Sequence, residues 1–370
     1  MEGAGGPDGS EGALRPRRDV PSGTVHRGLT VLPAQVQAGH DARMAEPGPV
    51  QPVVDPALLW DAVARWSAMV RLRREQFERL CVDRPDPRDY WQRRALNYFE
   101  AIRTRHDPGE FVRTVVAACQ DAESHGARWA TGAEPPPATV LDVGGGFGAV
   151  AVPVAGRGRR VTVVEPHPSM VQLLERWATQ ERVADRIRVV QQPWPPAAAE
   201  IEPHDVVVCS HVLYPIEDVV PFIDALIAAT RRACLITMRL GGPEQAPGAL
   251  FRDLHGEERV PQPGFGDLCA LLAGRGLHFD ATTYETDATW SYADLDEAEA
   301  VLAESLLVTT RPDARTRVRA WAEATLVPEA GRLVAPHRRV LAGIATLRPG
   351  AVHRPGARSP VSDADGWQSF

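Results

Sequence analysis

The sequence predicts an α/β fold built on a parallel sheet. Three observations predict it. Between residues 139 and 238, short apolar runs alternate with segments whose apolar residues recur at helical spacing. The first apolar run ends in a glycine-rich loop, Asp142-Val143-Gly144-Gly145-Gly146-Phe147-Gly148. The next apolar run ends in an acid, Glu165.

The elements follow in order. Residues 1–54 are rich in Gly, Pro, Ala and charge without periodicity, and are expected to be disordered. Met44 offers an alternative start within them. Order is expected from Asp55-Pro56. That pairing recurs at Asp86-Pro87 and Asp107-Pro108. Asp is a strong N-cap and Pro suits the first helical position, so helices are predicted over 56–80, 87–104 and 108–125. Glu110 stands where a capping box would place it. Residues 55–130 thus read as a helical extension or lid.

Strands are then predicted at 139–143, 160–164, 186–190, 205–209 and 233–238. The fourth is almost all valine, as suits a strand buried on both faces. Helices carrying Val171, Leu174 and Trp177, and then Val219, Phe222, Ile223 and Leu226, lie between them. A sixth strand is expected at 278–285. Two helices follow, at 295–307 and 313–325, the first opened by Asp294 with Glu297 three residues on. A last strand is expected at 340–347, able to pair antiparallel with the sixth across an insertion at 286–336. Residues 350–370 read as a disordered tail.

Composition removes several function classes. The chain contains no lysine, which excludes a Schiff-base lysine and a phosphate-binding Walker loop. Its arginine bias with abundant Ala, Gly and Pro looks like a GC-rich genome. The five cysteines are scattered, which argues against zinc ligation or a disulfide framework. No apolar run approaches the roughly 20 residues that span a bilayer. A net charge of −7 gives no global case for a nucleic-acid partner. With no signal peptide apparent, the expected compartment is the cytoplasm.

A strand, a glycine loop and a helix bring backbone N–H groups to a concave site. Glu165, about 20 residues on, is placed to accept hydrogen bonds from a ribose diol. An adenosine-containing ligand is the expectation. Gly144, Gly146 and Ala149 also fit the dinucleotide pattern G-x-G-x-x-A. Asp142 separates the readings: an acid in front of the loop repels a pyrophosphate but attracts the cationic amino group and sulfonium of S-adenosylmethionine (SAM). The alternative is that Asp142 merely caps a turn.

The segments 140–148, 163–166 (Val-Val-Glu-Pro) and 205–213 (Asp-Val-Val-Val-Cys-Ser-His-Val-Leu) together resemble the class I SAM-dependent methyltransferases, over roughly residues 130 to 350. The resemblance implies a Rossmann-like seven-stranded sheet with helices on both faces and a reversed terminal hairpin, in a core spanning 131–349. By position it implies that Gly144, Gly146 and Gly148 line SAM, that Asp142 lies near its amino group, that Glu165 holds the ribose hydroxyls and that Pro166 lies near the adenine. Where relatives carry an acid after the third strand, this chain has Gln191-Gln192-Pro193-Trp194, so Gln192 is the expected polar contact and Trp194 the expected stacking face. Ser210 and His211 would face the methyl group.

Methyl transfer is an in-line displacement, so the protein mainly supplies orientation and a dry site. A base helps only for a hydroxyl or ammonium acceptor. His211 is the best candidate base, with Tyr214 weaker. The alternative is that His211 only ties a loop. His255, with Glu257 and Glu258, reads more as a solvated loop than a metal site, having no firm ligand spacing. Tyr90, Trp91, Tyr98, Trp290 and Tyr292 are candidate pocket aromatics, though aromatics at helical spacing are usually core. The reading is a SAM-dependent methyltransferase of a small molecule. The alternatives are methylation of RNA or protein, for which Arg71, Arg73, Arg74, Arg93 and Arg94 give modest support, a non-catalytic SAM-binding module, or an NAD(P) oxidoreductase.

Overall fold

The computed structural model describes residues 56–81, 99, 102–103, 109–127, 136–241, 248–287, 291–336 and 339–349. The expected helix at 87–104, the aromatics Tyr90, Trp91, Tyr98 and Trp290, the arginines Arg93 and Arg94, and both expected disordered ends lie outside the described residues.

Five parallel strands form the centre: β1 (Thr139–Val143), β2 (Arg160–Val164), β3 (Ile187–Val190), β4 (His204–Ser210) and β5 (Thr230–Arg239). β6 (Phe279–Asp287) and β10 (Arg339–Leu347) complete a seven-stranded sheet in the order β3-β2-β1-β4-β5-β10-β6. β10 runs antiparallel to both its neighbours. The strand order reverses between β1 and β4, which opens a crevice at their carboxyl ends.

Alternation along the strands feeds two separate cores. Leu141, Val143, Val207, Cys209 and Ile236 face one side. There they meet α1 (Pro56–Leu80) through Trp66, α5 (Val219–Ala228) through Phe222, and α7 (Phe265–Gly274) through Leu268. Val140, Val206, Val208 and Leu235 face the other side. They meet α2 (Glu110–Ala127) through Val115, the short α3 (Ala151–Ala155) through Val152, and α4 (Pro168–Gln180) through Leu174. Strands covered on both faces have no polar side to show, which is why β4 reads as a run of valines.

The insertion between β6 and β10 has its own core. It holds β7 (Ser291–Tyr292), α8 (Leu295–Ser305), α9 (Pro312–Thr325), β8 (Val327–Glu329) and β9 (Arg332–Val334). Asp294 caps α8 as its position predicts, accepting from Glu297 N–H at 2.8 Å. The three strands form a small sheet, β7-β9-β8. Together with α6 (Gly248–His255) they bury Phe251, Leu254, Leu302, Leu306 and Val318. Tyr292 is 4% exposed within this core, so it packs the insertion instead of lining an open pocket.

α1 is held by side-chain bonds to two distant loops. Trp66 Nε1 donates to the Ile216 carbonyl at 2.8 Å, and Ser67 Oγ to the Glu217 carbonyl at 2.9 Å. Further along, Gln76 Nε2 donates to the Glu258 carbonyl while its Oε1 accepts from Val260 N–H, both at 2.8 Å. The arginines that suggested a basic patch take part as well. Arg74 pairs with Glu217 at 2.7 Å, and Arg73 donates to the Val260 carbonyl at 2.6 Å.

Gly343 in β10 marks the tightest contact between sheet and helix. A Cβ there would stand 2.1 Å from the Phe265 ring of α7. Gly343→Ala is therefore expected to overpack this layer and lower stability by about 1–3 kcal/mol, read as a lower denaturant midpoint with an unchanged slope.

Candidate active site

The glycine loop leaves β1 and turns beneath the tip of β2. Gly144 and Gly145 both donate N–H to the Val164 carbonyl, at 2.8 and 3.3 Å. Gly146 N–H donates to Glu165 Oε2 at 3.0 Å, and His167 N–H to Oε1 at 3.0 Å. These loop amides, which the sequence suggests for a ligand, are thus spent on shaping the loop. Gly144 and Gly146 have φ of +69° and +54°, a region that favours glycine. Nothing lies within 4 Å of a Cβ at Gly146, so its open side faces free space.

Asp142 is buried at 1% exposure under this loop, with its Oδ2 only 2.9 Å from where a Gly145 Cβ would lie. Neither carboxylate oxygen has a partner within hydrogen-bond geometry. Burial pushes its carboxyl up to about 7, the nearby Glu165 charge adds to this, and the Ala151 N–H partly opposes it. Glu165 is 5% exposed; burial raises its carboxyl also, against the two backbone bonds that favour the ionised form. Each bonded oxygen keeps a further lone pair.

The segment after β4 closes against the loop. Its Val212 side chain would stand 2.5 Å from a Cβ at Gly144. His211 adopts φ +60° there, its N–H bonded to the Thr237 carbonyl at 3.0 Å. His211 Nδ1 lies 2.9 Å from the Tyr214 hydroxyl, and the two rings stack at 8° with centroids 6.1 Å apart. The Tyr214 hydroxyl also accepts Arg239 N–H at 2.9 Å. His211 is exposed as a residue. Desolvation where its ring lies against Tyr214, and then the Arg239 charge, push the imidazole down to about 4. Burial pushes the Tyr214 phenol up to about 12. Ser210, half-buried, ends β4 opposite Thr237 of β5.

The adenine end departs from expectation. Trp194 is 2% exposed in the core with Phe222, and its Nε1 donates to the Phe222 carbonyl at 3.3 Å, so it offers no face for stacking. Its aromatic character reflects core packing under α5. Gln192 is half-buried and its Nε2 donates to Glu200 Oε2 at 3.3 Å, and Pro166 is half-buried beside Glu165. His255 ends α6 instead of lying in a loop. Its Nε2 donates to the Leu306 carbonyl at 2.7 Å, while Glu257 pairs with Arg79 and Glu258 with Arg252. Thr237, which sequence reasoning passed over, carries the His211 backbone and bonds the Tyr284 hydroxyl at 3.1 Å. Only its place at the end of a buried strand hinted at this.

Residues 140–233 match a family model described as a methyltransferase domain. No curated relative matches the chain by sequence. Among solved structures, the chain is similar to magnesium protoporphyrin IX methyltransferase of Synechocystis PCC 6803 with bound SAH (the demethylated product of SAM), at 16% identity and TM-score 0.39, over 70% of this chain and 96% of that one. It is also similar to a SAM-dependent methyltransferase from Thiobacillus denitrificans in complex with S-adenosyl-L-homocysteine, at 19% identity and TM-score 0.38, over 68% and 96%. A third, the SAM-dependent methyltransferase of Geobacter sulfurreducens, stands at 18% and 0.37, over 69% and 97%. These likenesses are distant. Residues 140–233 match the methyltransferase-domain model, and they lie on a Rossmann-like sheet. The unpartnered, buried Asp142 and the open Gly146 fit a cationic ligand at this crevice.

An acid that ionises less readily in the folded than in the unfolded state binds the extra proton when folded. Its contribution is full below the ordinary Asp value of 3.8 and is lost as pH rises through about 7. Without SAM, Asp142→Asn is expected to match the native protein only below about pH 4 and to exceed its Tm at pH 8 by roughly 5 °C in calorimetric scans.

Proposed function

We propose that the chain methylates a small molecule, with Asp142, Gly144, Gly146, Gly148 and Glu165 holding the cofactor and the His211–Tyr214 pair facing the acceptor. The observation that carries this is the buried Asp142 carboxylate, with both oxygens unpartnered beneath a glycine loop that Glu165 clasps. An anion without a partner at 1% exposure is costly, and a cation in the crevice would relieve that cost. When bound, SAM supplies a methyl group on a positively charged sulfur, which keeps the bonding electron pair when the methyl departs. Glu165, fixed by two backbone N–H groups, is oriented to accept from the ribose hydroxyls through its remaining lone pairs. Gln192 and Pro166 flank the same side, and Ser210 the opposite one.

A small acceptor is favoured over RNA by the state of the arginines. Arg71 and Arg74 face Glu217, and Arg73 is bonded to backbone, so they do not form a free basic face. No helix among the described residues is long and apolar enough to cross a membrane. We assign the chain to the cytoplasm, where thiols such as the buried Cys119, Cys209 and Cys234 stay reduced.

Calorimetric titration with SAM, NADH and NADPH tests the cofactor. Micromolar SAM binding is expected, weakened at least tenfold, or about 1.4 kcal/mol, in Glu165→Ala. Binding of a nicotinamide cofactor with none of SAM would sink the reading. His211→Ala is expected to keep SAM affinity within about threefold, because no cofactor-binding role is assigned to its side chain.

A further inference from the structure

The Tyr214 hydroxyl has two partners among the described residues, Arg239 N–H and His211 Nδ1. The first can only donate, so it takes one of the hydroxyl's lone pairs. The hydroxyl's own proton then needs an acceptor. Tyr214 is 5% exposed, so water is a poor substitute. The acceptor in place is His211 Nδ1. If Nδ1 instead carried a proton, the hydroxyl would receive two donors and its own proton would be left buried without an acceptor. Only one arrangement satisfies every atom: Arg239 N–H to the Tyr214 oxygen, Tyr214 O–H to Nδ1, and the imidazole proton on Nε2.

The backbone reinforces it. His211 stands at φ +60°, a strained position for a residue with a side chain, and is anchored there through its N–H to Thr237. His211 is exposed, and its neighbour Val212 packs against Gly144 of the glycine loop. The charged and titratable groups acting on the pair are Arg239 on both rings, and Tyr284 and Cys209 on the phenol. Desolvation, and then the Arg239 charge, both disfavour an imidazolium at His211.

We propose that Tyr214 is a positioning residue that locks His211 in its Nε2–H tautomer, so that His211 meets the methyl acceptor as a hydrogen-bond donor to an ionised oxygen, a carboxylate or phenolate, and not as a base. This rests on the methyltransferase reading for the identity of the crevice. In that reading the lone pair that a base requires is turned away from the acceptor and occupied by Tyr214. The acceptor therefore arrives already nucleophilic.

Nitrogen-15 spectra of the full chain with labelled histidine test this, with His211→Gln identifying the signal by its loss. The native protein is expected to show a protonated Nε2 and an unprotonated Nδ1 from pH 6 to 8. Tyr214→Phe is expected to shift Nδ1 toward its protonated position and to raise the titration midpoint of His211. A native Nδ1–H tautomer overturns the proposal, as does an unchanged tautomer in folded Tyr214→Phe; if that variant does not fold, the native spectrum decides. Benzoate added to SAH-saturated protein is expected to move the Nε2 signal. A shift no larger than that of the exposed His278 would overturn the oxyanion assignment. SAM titration of the same sample separates the readings: no SAM binding with the Nε2–H tautomer present removes the methyltransferase reading and leaves the tautomer standing.

Discussion

The tip of β2 shapes everything around the crevice. Val164 offers one carbonyl to two successive loop amides, and Glu165 takes the third. These bonds fold the glycine loop back over its own strand and bury Asp142 beneath it. They also settle where the post-β4 segment rests, since Val212 packs against the bare Cα of Gly144. Loop, acid and histidine are thus positioned by one short stretch of backbone pairing between the ends of neighbouring strands.

Most of the sheet was legible because its signals are local. Apolar runs of five or six residues, Asp-Pro helix starts and the Asp294–Glu297 cap lie within a few residues of the structure they produce, and the observed boundaries differ from expectation by only a few residues. The unread pieces lack such signals. α6 and α7 are short helices of eight and ten residues, between glycines and prolines, and β7 to β9 span two or three residues each, too few to show alternation.

The site divided in the same way. Asp142, the glycines and Glu165 share one neighbourhood because parallel pairing of β1 with β2 brings their ends together. Trp194 misled because a large aromatic near a ligand suits stacking as well as core, and only the position of Phe222 distinguishes them. The His211–Tyr214–Arg239 chain was half visible. The spacing of the first two, three residues apart, was plain, but the Arg239 amide comes from another strand and belongs to no motif. Arginines at 71, 73 and 74 looked like a binding face because charge is visible in a sequence and its partner, Glu217, is 143 residues from Arg74.

α1 touches two places that matter and is rigid between them. Trp66 and Ser67 grip the loop that follows Tyr214, and Gln76 grips the residues just beyond α6, whose side chains build the core of the insertion. Ten residues of helix separate Trp66 from Gln76, about 15 Å along an axis that hardly stretches. The helix works as a strut of set length between the loop that follows Tyr214 and the foot of the insertion. A shortened or lengthened α1 would move one anchor relative to the other, even with every residue of the crevice unchanged.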